Sequence, residues 1–474
     1  MRKTKIVATL GPASSEPEVI SALFEAGVNV VRMNFSHGTH DDHAERIGRV
    51  RSAASQRGLT VAIIADLQGP KIRTGKLTGG VPVQLHSGAE FYLTTRQITG
   101  DERGVSIDYS GFPNDVSTGD RVLLADGAIE LEVNRVEAQD VVCQVVSGGT
   151  LGERKGVNIP GAELDLPSMT AKDEADLTFA LNQKVDYVAL SFVRKPEDVQ
   201  EAKKRITAAG CDVQLIAKIE KPQALAKLDE ILAAADGVMV ARGDLGVELS
   251  PWIVPIEQKR IIRQAASLRK PVITATQMLE SMIDRPRPTR AEASDVANAV
   301  LDGSDAVMLS GETAVGKYPL EAVRMMSNII ESAESLLVPT DLAAPVARDG
   351  DLLLSDAVAF SAVEITGRVN ARCLVVYSES GFSARLLSKH RPGCRILALS
   401  GHAEICRRMS LYWGVETRLV TPYEHVDDLV RAVDPMLIGM GWAQRGDRIC
   451  FVAGTPLQVK GKTDLIKVHR VGET

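Results

Sequence analysis

The sequence predicts an α/β protein: a (β/α)₈ TIM barrel with an inserted small β-barrel lid domain and a C-terminal α/β domain. Three observations lead to this prediction. Eight short apolar runs, separated by amphipathic stretches, precede residue 313. Between residues 70 and 166 that rhythm is replaced by short runs of alternating apolar and polar residues. A second series of apolar runs and helix-like stretches occupies the chain after residue 346.

The eight apolar runs have the composition of buried parallel strands, and most links between them are helix-like, such as "EPEVISALFEAG" (16–27) and "KPQALAKLDEILAAADG" (221–237). Apolar strands that alternate with helices are typical of a parallel sheet covered on both faces. Eight of them favour a closed barrel, although periodicity alone leaves a doubly wound sheet open. The runs are "KIVATLG" (5–11), "VNVVRMNFSHG" (28–38), "VAIIADLQG" (61–69), "VDYVALSF" (185–192), "VQLIAKIE" (213–220), "GVMVARGD" (237–244), "PVITATQ" (271–277) and "AVMLSGE" (306–312).

The change of pattern between residues 70 and 166 predicts a separate β-domain inserted after the third barrel strand. Its runs include "VPVQLH", "EFYLTT" and "RVLLADGAIELEV", and its turns are rich in Gly and Asp. We therefore expect a barrel formed by residues 1–69 and 167–340 and a lid formed by residues 70–166.

The stretch "VPTDLAAPVARDGD" (338–351) has the composition of a linker. The runs "RCLVVYS", "RILALSG", "VETRLVT" and "DRICFVAG" follow it, separated by helical stretches. They predict a third unit, the C-terminal domain, over residues 346–474.

Composition narrows the classes of function. The chain has 474 residues and a net charge of −6, which argues against a dedicated nucleic-acid-binding protein. Its six cysteines form no CxxC pair, so neither a zinc site nor a disulfide framework is indicated. No apolar stretch has the length of a membrane span, and the start "MRKTKIVATLG" lacks the apolar core of a signal peptide. We expect a cytoplasmic protein that binds neither membranes nor nucleic acids.

Charged and polar residues cluster where the predicted strands end, which is where a (β/α)₈ barrel carries its active site. The cations among them suit a phosphorylated substrate, and Glu220 and Asp244 suit Mg²⁺ better than Zn²⁺. Structural roles are also open: Glu220 could pair with Lys218, and Asp244 could cap a helix that opens at "GDLG". The strand ends contribute Arg32, Asn34, Ser36, His37, Asp66, Lys71, Arg73, Ser191, Arg194, Lys218, Glu220, Arg242, Asp244, Thr276, Gln277, Ser310 and Glu312.

Several motifs together resemble the pyruvate kinase family, in order along the predicted barrel and lid. They are "VVRMNFSHG", "DLQGPKIRTG", "KGVNIPG", "IAKIE", "MVARGDLGVE", "ATQMLESM", "RPTRAE" and "LSGETAVGKYP". The resemblance implies transfer of the phosphoryl group of phosphoenolpyruvate to ADP, which gives ATP and pyruvate, with Mg²⁺ or Mn²⁺ as cofactor. It also implies a mobile lid, a C-terminal domain that binds an effector, and a homotetramer.

The resemblance assigns roles to individual residues. Arg32 and Lys218 would hold the phosphoryl group, and Glu220 and Asp244 the metal. The substrate carboxylate would lie on the backbone N–H groups of Gly243 and Asp244 and on the Thr276 hydroxyl, and Thr276 would help to protonate the enolate. The residues that would face the nucleotide are Asn34, His37, Arg73 and Lys155.

Lys71 departs from the pattern of many family members, which carry Glu there and need K⁺. The K⁺ ligands would map to Asn34, Ser36, Asp66 and the Leu67 carbonyl. A tethered ammonium could supply the charge that K⁺ supplies elsewhere, so we expect K⁺ independence. Asn34, Ser36 and Asp66 would then form a hydrogen-bonding shell around Arg32 and Lys71. The simpler alternative is that Lys71 points to solvent and K⁺ still binds.

The expected effector site also departs from the family pattern. "SESGFSA" (378–384) resembles its phosphate loop, but Glu379 and Phe382 stand where members activated by fructose 1,6-bisphosphate often carry basic residues. We therefore favour a monophosphate activator, AMP or a sugar monophosphate. The residues that could bind it are Ser378, Ser380, Ser383, Lys460 and Lys462.

Two other functions remain open from the sequence. One is a Mg²⁺-dependent lyase that forms an enolate on a phosphoenolpyruvate/pyruvate barrel. The other is a catalytically inactive sensor that binds sugar phosphates. ADP-dependent turnover separates the kinase from both.

Overall fold

The computed structural model of the protein describes residues 2–162, 164, 166–337 and 353–473. The chain begins with β1 (Lys5–Thr9), α1 (Pro17–Ala26), β2 (Val30–Asn34), α2 (His40–Gln56) and β3 (Ala62–Asp66). Local signals define these elements: α2 begins after Thr39, whose hydroxyl accepts a hydrogen bond from the Asp42 N–H. The first three apolar runs therefore form the first three predicted strands.

The inserted region follows β3. It comprises β4 (Val83–Leu85), β5 (Glu90–Thr94), β6 (Gly104–Ser106), α3 (Phe112–Asp115), β7 (Arg121–Leu124), β8 (Ile129–Glu137), β9 (Asp140–Ser147), β10 (Gly149–Leu151) and β11 (Val157–Asn158). A six-stranded sheet has the order β11-β7-β8-β9-β5-β6, and β10 pairs with β4 in a two-stranded sheet. The chain thus leaves the barrel after its third strand, as the change of periodicity predicts.

The chain then completes the barrel. Its elements are α4 (Ala171–Asn182), β12 (Tyr187–Leu190), α5 (Pro196–Ala208), β13 (Gln214–Ile219), α6 (Pro222–Ala226), α7 (Leu228–Ala234), β14 (Gly237–Ala241), α8 (Arg242–Glu248), α9 (Val254–Ser267), β15 (Val272–Ala275), α10 (Arg290–Leu301), β16 (Ala306–Leu309), α11 (Gly311–Ala314) and α12 (Pro319–Leu336). The helix-like stretch 221–237 forms two helices, α6 and α7, which meet at Lys227.

Eight parallel strands close the barrel in the order β1-β16-β15-β14-β13-β12-β3-β2. The closed barrel is therefore confirmed, and the doubly wound alternative is wrong. All eight strands end at the same rim, which brings together the polar residues that follow them.

The C-terminal domain comprises α13 (Leu353–Arg368), β17 (Cys373–Tyr377), α14 (Phe382–Lys389), β18 (Arg395–Ser400), α15 (Ala403–Met409), β19 (Val415–Leu419), α16 (Val426–Gly439), β20 (Arg448–Ala453) and β21 (Leu465–Arg470). Its sheet has the order β19-β18-β17-β20-β21, and only β21 runs antiparallel to its neighbour. The predicted linker (338–351) and the predicted boundaries at 340 and 346 lie outside the described residues.

The lid and the C-terminal domain meet the barrel differently. The lid has a hydrophobic core of its own, built around residues such as Phe91, Leu93 and Leu131. By contrast, one cluster contains inward-facing residues of the barrel, such as Tyr187, and residues of the C-terminal domain, such as Leu411. Among the described residues, no helix combines the length and the apolar character that a membrane crossing requires.

Candidate active site

A buried carboxylate organises two cations at the mouth of the barrel. Asp66 is the last residue of β3 and only 1% exposed. Its Oδ2 accepts a hydrogen bond of 2.6 Å from Arg32 Nε, and its Oδ1 lies 3.2 Å from Lys218 Nζ. Lys218 Nζ also donates to Ser191 Oγ at 2.7 Å. The ends of four strands therefore meet in one hydrogen-bonded cluster.

The charges in this cluster stabilise one another. Burial opposes ionisation of Asp66, but Arg32 and Lys218 more than offset it and hold the pKa of Asp66 below its usual value. Burial would likewise lower the pKa of Lys218, but Asp66 and Glu220 more than offset it, so that pKa is raised. The mouth therefore holds two cations in fixed positions, each paired with a buried carboxylate.

Glu220 lies directly after β13, and its residue is fully buried. Its Oε2 accepts a hydrogen bond of 2.7 Å from the Phe192 N–H. Its Oε1 lies 3.0 Å from Lys218 Nζ, but the geometry of that contact is not that of a hydrogen bond. Burial raises the pKa of Glu220, Lys218 opposes this shift, and the charge of Asp244 adds to it. The pairing with Lys218 that we weighed as a structural role is therefore present.

Asp244 is the third residue of α8, and its side chain is 26% exposed. The helix begins at Arg242 and its N-cap is Ala241, so the expectation that Asp244 caps this helix is wrong. One buried carboxylate oxygen without a hydrogen bond and a second carboxylate nearby are a donor set that fits Mg²⁺. Among the described residues, no group of three or more His, Cys, Asp or Glu could hold a metal, so water and substrate would complete the shell.

The end of β15 carries backbone strain. Thr276 and Gln277 have φ values of 68° and 55°, in the left-handed region that side chains other than glycine seldom adopt. Arg242 holds this turn by donating to the Thr276 carbonyl at 2.8 Å. The Gly243 N–H donates to Thr276 Oγ1 at 2.7 Å. The Thr276 hydroxyl thus lies against the start of α8, where it accepts from the Gly243 N–H and donates to the Ala275 carbonyl.

Lys71 lies at the mouth, but its environment differs from our expectation. Its Nζ lies 3.2 Å from Asp244 Oδ1 and 3.5 Å from Oδ1 of Asp126 in the lid. Among the described residues, Asp66 is the one member of the expected shell that hydrogen-bonds Arg32, while Asn34 and Ser36 bond to each other. The expected shell is therefore correct in part for Arg32 and wrong for Lys71, which pairs with other carboxylates. The alternative that Lys71 points freely to solvent is wrong too. Burial lowers the pKa of Lys71, but Asp244 and Asp126 more than offset it and raise that pKa.

The other positions expected to bind K⁺ surround the cluster without contacting Lys71. Asn34 Oδ1 accepts a hydrogen bond from the Ser36 N–H at 3.2 Å. The Leu67 carbonyl accepts from Ser191 Oγ at 2.7 Å, which occupies it within the protein. Gly69 then turns the chain toward the lid with a φ of 71°, and a Cβ there would lie 2.9 Å from Ser191 Cβ.

The residues expected to face the nucleotide lie on both sides of the cleft. Arg73 is bridged to Gly156 in the lid, and its Nη1 donates to the Arg154 carbonyl at 3.3 Å. Lys155, next in the chain, is exposed, as is His37 on the barrel. The structure therefore brings Arg73 and Lys155 together and leaves the Lys155 and His37 side chains accessible.

The expected effector residues converge in the C-terminal domain. Ser383 lies in the first turn of α14, and its Oγ is 2.6 Å from Thr463 Oγ1. That contact brings the segment with Lys460 and Lys462 beside the 378–384 loop, where Ser378 is buried and Ser380 half-buried. Lys462 Nζ donates to the Thr455 carbonyl at 2.7 Å.

Sequence reasoning missed two groups and one contact at the mouth. Asp66 was expected to hydrogen-bond Arg32, but its ion pair with Lys218 was not foreseen. Asp126 lies in the turn "ADG", which gave only a turn signal. Asn158 lies within the quoted motif "KGVNIPG", and it contacts Glu248 of the barrel across the domain boundary. The motif included Asn158, but it could not predict that Glu248 would be its partner.

Comparison with known proteins agrees with this geometry. The family described as "Pyruvate kinase, barrel domain" matches residues 1–323, and "Pyruvate kinase, alpha/beta domain" matches residues 356–469. A pyruvate kinase of Mycobacterium tuberculosis (strain CDC 1551 / Oshkosh) is 46% identical over 472 residues, covering 100% of this chain and 99% of the relative. A pyruvate kinase of Geobacillus stearothermophilus is 43% identical over 475 residues, covering 100% of this chain and 81% of that protein.

A solved structure gives the same result. The crystal structure of a pyruvate kinase from Cryptosporidium parvum matches with a TM-score of 0.92 and 38% identity, covering 99% of this chain and 96% of that one. Its agreement over nearly the whole chain supports the three-part architecture as well as the barrel. With the full-length relatives and both family matches, it shows that this chain belongs to the pyruvate kinase family of phosphotransferases.

Proposed function

We propose that the protein transfers the phosphoryl group of phosphoenolpyruvate to ADP, giving ATP and enolpyruvate, which is protonated to pyruvate. The observation that supports this most directly is the buried pairing of Arg32 and Lys218 on Asp66 beside Glu220. Phosphoryl transfer needs positioning and neutralisation of charge more than covalent chemistry, and two fixed cations provide both.

In this proposal Arg32 and Lys218 bind the phosphoryl group. Asp66 holds both, so neither cation must reorganise as charge moves during transfer. The substrate carboxylate binds at the start of α8, on the N–H groups of Gly243 and Asp244 and on the Thr276 hydroxyl. Thr276, oriented by its strained turn, then helps to deliver the proton to the enolate carbon.

Glu220 and Asp244 would hold a divalent cation, Mg²⁺ or Mn²⁺. When bound, that cation neutralises charge on the phosphoryl and enol oxygens. Glu220 Oε1, which lies beside Lys218 Nζ but accepts no hydrogen bond among the described residues, and the accessible carboxylate of Asp244 support this assignment. Both carboxylates are held by the protein, Glu220 by the Phe192 N–H and Asp244 by Lys71.

We place ADP between the barrel and the lid, with Asn34 and His37 on one side and Arg73 and Lys155 on the other. The exposed Lys155 supports a role on a mobile element, since it has no described ion pair to break. Movement of the lid would bring its ammonium to the nucleotide phosphates.

We further propose that catalysis does not require K⁺, with Lys71 as the resident cation. Its position against Asp244 supports this, because it places positive charge beside the expected metal site. Activity in K⁺-free buffer should change by less than about twofold when K⁺ is added, if a tethered ammonium already supplies the charge. Lys71→Glu should lower the K⁺-free rate, and added K⁺ should restore it. A strong K⁺ requirement in the unmodified protein would contradict this proposal.

For regulation we propose a phosphorylated activator at the 378–384 loop, with AMP or a sugar monophosphate favoured over fructose 1,6-bisphosphate. The buried Glu379, 2.6 Å from Tyr377 Oη and 2.9 Å from His402 Nε2, supports this because a fixed carboxylate repels a second phosphate. Titration of activity with each compound tests it, and strong activation by the bisphosphate would contradict it.

We also propose a homotetramer that works in the cytoplasm. Exposed apolar side chains in the connection from α8 to α9 and in the first turn of α9, with Trp252 77% and Ile256 62% exposed, support burial against another copy. All six cysteines are free, which fits a reducing compartment. Light scattering coupled to size exclusion would give the mass of the assembly.

The decisive experiment measures pyruvate formation from phosphoenolpyruvate, with and without ADP, in the presence of Mg²⁺. ADP-dependent turnover that Lys218→Met lowers by roughly a hundredfold or more would support the proposal, since Lys218 is a preorganised charge at the reacting group. ADP-independent turnover of a related substrate would favour the lyase. Binding of sugar phosphates without turnover would favour the sensor.

A further inference from the structure

A buried hydrogen bond joins the lid to an ion pair of the barrel, and it involves Asn158, Glu248 and Lys221. Asn158 Nδ2 in lid strand β11 donates to Glu248 Oε1 of α8 at 2.8 Å. Lys221, directly after Glu220, donates to the same oxygen at 2.5 Å. The Glu248 and Lys221 side chains are 1% and 14% exposed, and Asn158 is 4% exposed. We call these three residues the lid lock.

The lid lock suits a neutral amide at position 158. Glu248 carries one negative charge and Lys221 one positive charge, so the pair is balanced before the lid adds its contact. Asn158 Oδ1 has no hydrogen-bond partner among the described residues, so the side chain is held through its Nδ2 alone. A carboxylate at 158 would place a second buried negative charge against Glu248.

The lock also touches the elements that carry the proposed chemistry. Glu248 lies four residues after Asp244, on the same face of α8. On the lid side, Lys155 and Gly156 immediately precede β11, and Gly156 is bridged to Arg73. One contact therefore joins the helix of a metal carboxylate to the strand that leads to the nucleotide residues.

We propose that the lid lock sets the position of the lid, and that Asn158 and Glu248 are positioning residues for ADP. This inference rests on the proposed function, because it takes Arg73 and Lys155 as nucleotide ligands. In the proposed function the lid residues Arg73 and Lys155 bind ADP, whereas the groups that bind phosphoenolpyruvate lie on the barrel. The contact that Asn158 makes should therefore affect ADP binding more than phosphoenolpyruvate binding.

Asn158→Asp is the sharpest single test, because it keeps the shape of the side chain and replaces a donor by a charge. We expect the KM for ADP to rise about tenfold or more, as a buried hydrogen bond to a charged group becomes a repulsion, and the KM for phosphoenolpyruvate to change by less than about twofold. Asn134→Asp is the matched control, since it makes the same change at an exposed position of β8 in the same domain. Equal KM values for ADP in the Asn158→Asp variant and the unmodified enzyme would overturn the proposal.

A swapped pair tests the contact itself. In the double variant Asn158→Asp with Glu248→Gln, the amide and the carboxylate exchange sides, and Lys221 keeps a carboxylate nearby. We expect the swap to recover most of the loss in ADP affinity that Asn158→Asp causes. Losses that simply add would show that the two residues act independently, and would overturn the lock.

Hydrogen exchange of the free enzyme separates this inference from the proposed function, because it needs neither substrate nor turnover. Asn158→Asp should speed exchange of the amides in β11 and in its partner β7 by about tenfold, while Asn134→Asp should leave them unchanged. Faster exchange in a protein without kinase activity would refute the proposed function and keep the lock. Unchanged exchange in an active kinase would refute the lock alone.

Discussion

The lid and the C-terminal domain are attached to the same barrel by opposite kinds of contact. The lid keeps a separate hydrophobic core, and it reaches the barrel through polar groups such as Asn158, Lys71 and the Leu164 carbonyl, which accepts from Arg194 Nη1 at 2.9 Å. The C-terminal domain shares an apolar cluster with the barrel interior. Polar contacts can exchange with water when a domain moves, whereas a shared core cannot open without exposing apolar surface. The lid can therefore move relative to the barrel, whereas the C-terminal domain is packed so that a change in it is passed to the barrel.

The junction with the C-terminal domain also contains buried charges. Asp305, which precedes β16, contacts Lys389 and lies 3.0 Å from Arg391 Nη2. All three residues are 1% exposed. Lys389 is the last residue of α14, and the first residues of that helix, 382–384, belong to the proposed effector loop. One helix therefore extends from the effector loop to the base of the barrel.

The largest expected effect comes from breaking this junction. Asp305→Asn leaves two buried cations without their shared carboxylate, and we expect the free energy of unfolding to fall by about 3–5 kcal/mol. Chemical denaturation followed by far-UV circular dichroism would measure it. Asp427→Asn is the control, because its ion pair with Lys467 is exposed, and it should leave stability unchanged. Equal stability of the two variants would show that the junction contributes little.

A matched pair of leucines would test whether the two attachments differ in cooperativity. Leu131 in the lid and Leu411 in the C-terminal domain are both fully buried. Each Leu→Ala change should cost about 2–5 kcal/mol locally. We expect Leu411→Ala to lower the transition of the barrel together with the C-terminal domain, and Leu131→Ala to lower only that of the lid. Hydrogen exchange resolved by segment would measure the stability of each domain in the two variants. A uniform loss of protection in both variants would show that the two domains do not differ in their coupling to the barrel.

Much of the architecture could be predicted because local sequence patterns determine where its strands and helices begin and end. Strands such as Ala62–Asp66 and Gly237–Ala241 are apolar throughout, and a capping box marks the start of α10 at Thr289. The polar residues at the ends of these strands predicted most of the groups at the barrel mouth, because the parallel strands of a barrel end at one rim. The motifs added the order of the domains.

The rest depended on contacts between distant parts of the chain. Lys71 pairs with Asp244 and Asp126, not with the shell that its neighbours in sequence suggested. The contact of Asn158 with Glu248 joins residues 90 positions apart, and no periodicity encodes such a pairing. The break at Lys227 between α6 and α7 likewise escaped, since both helices share one apolar pattern. Side-chain partners across a domain boundary are determined by the three-dimensional fold, so local sequence patterns cannot predict them.

The smallest effect concerns Lys5, a charge buried where the barrel meets the C-terminal domain. Its Nζ donates to the Val415 carbonyl at 2.7 Å, and burial lowers its pKa from 10.5, the usual value for lysine, to about 8. Between these two values the unfolded chain binds the proton and the folded protein has released it, so stability rises with pH in that window. The slope from this one group is at most about 1.4 kcal/mol per pH unit. Denaturation at pH 8, 9 and 10 should therefore show a steeper rise for the unmodified protein than for Lys5→Met. Equal dependence of stability on pH in the two proteins would mean that Lys5 keeps its proton. The junction between the barrel and the C-terminal domain would then hold a buried charge, as the lid lock does.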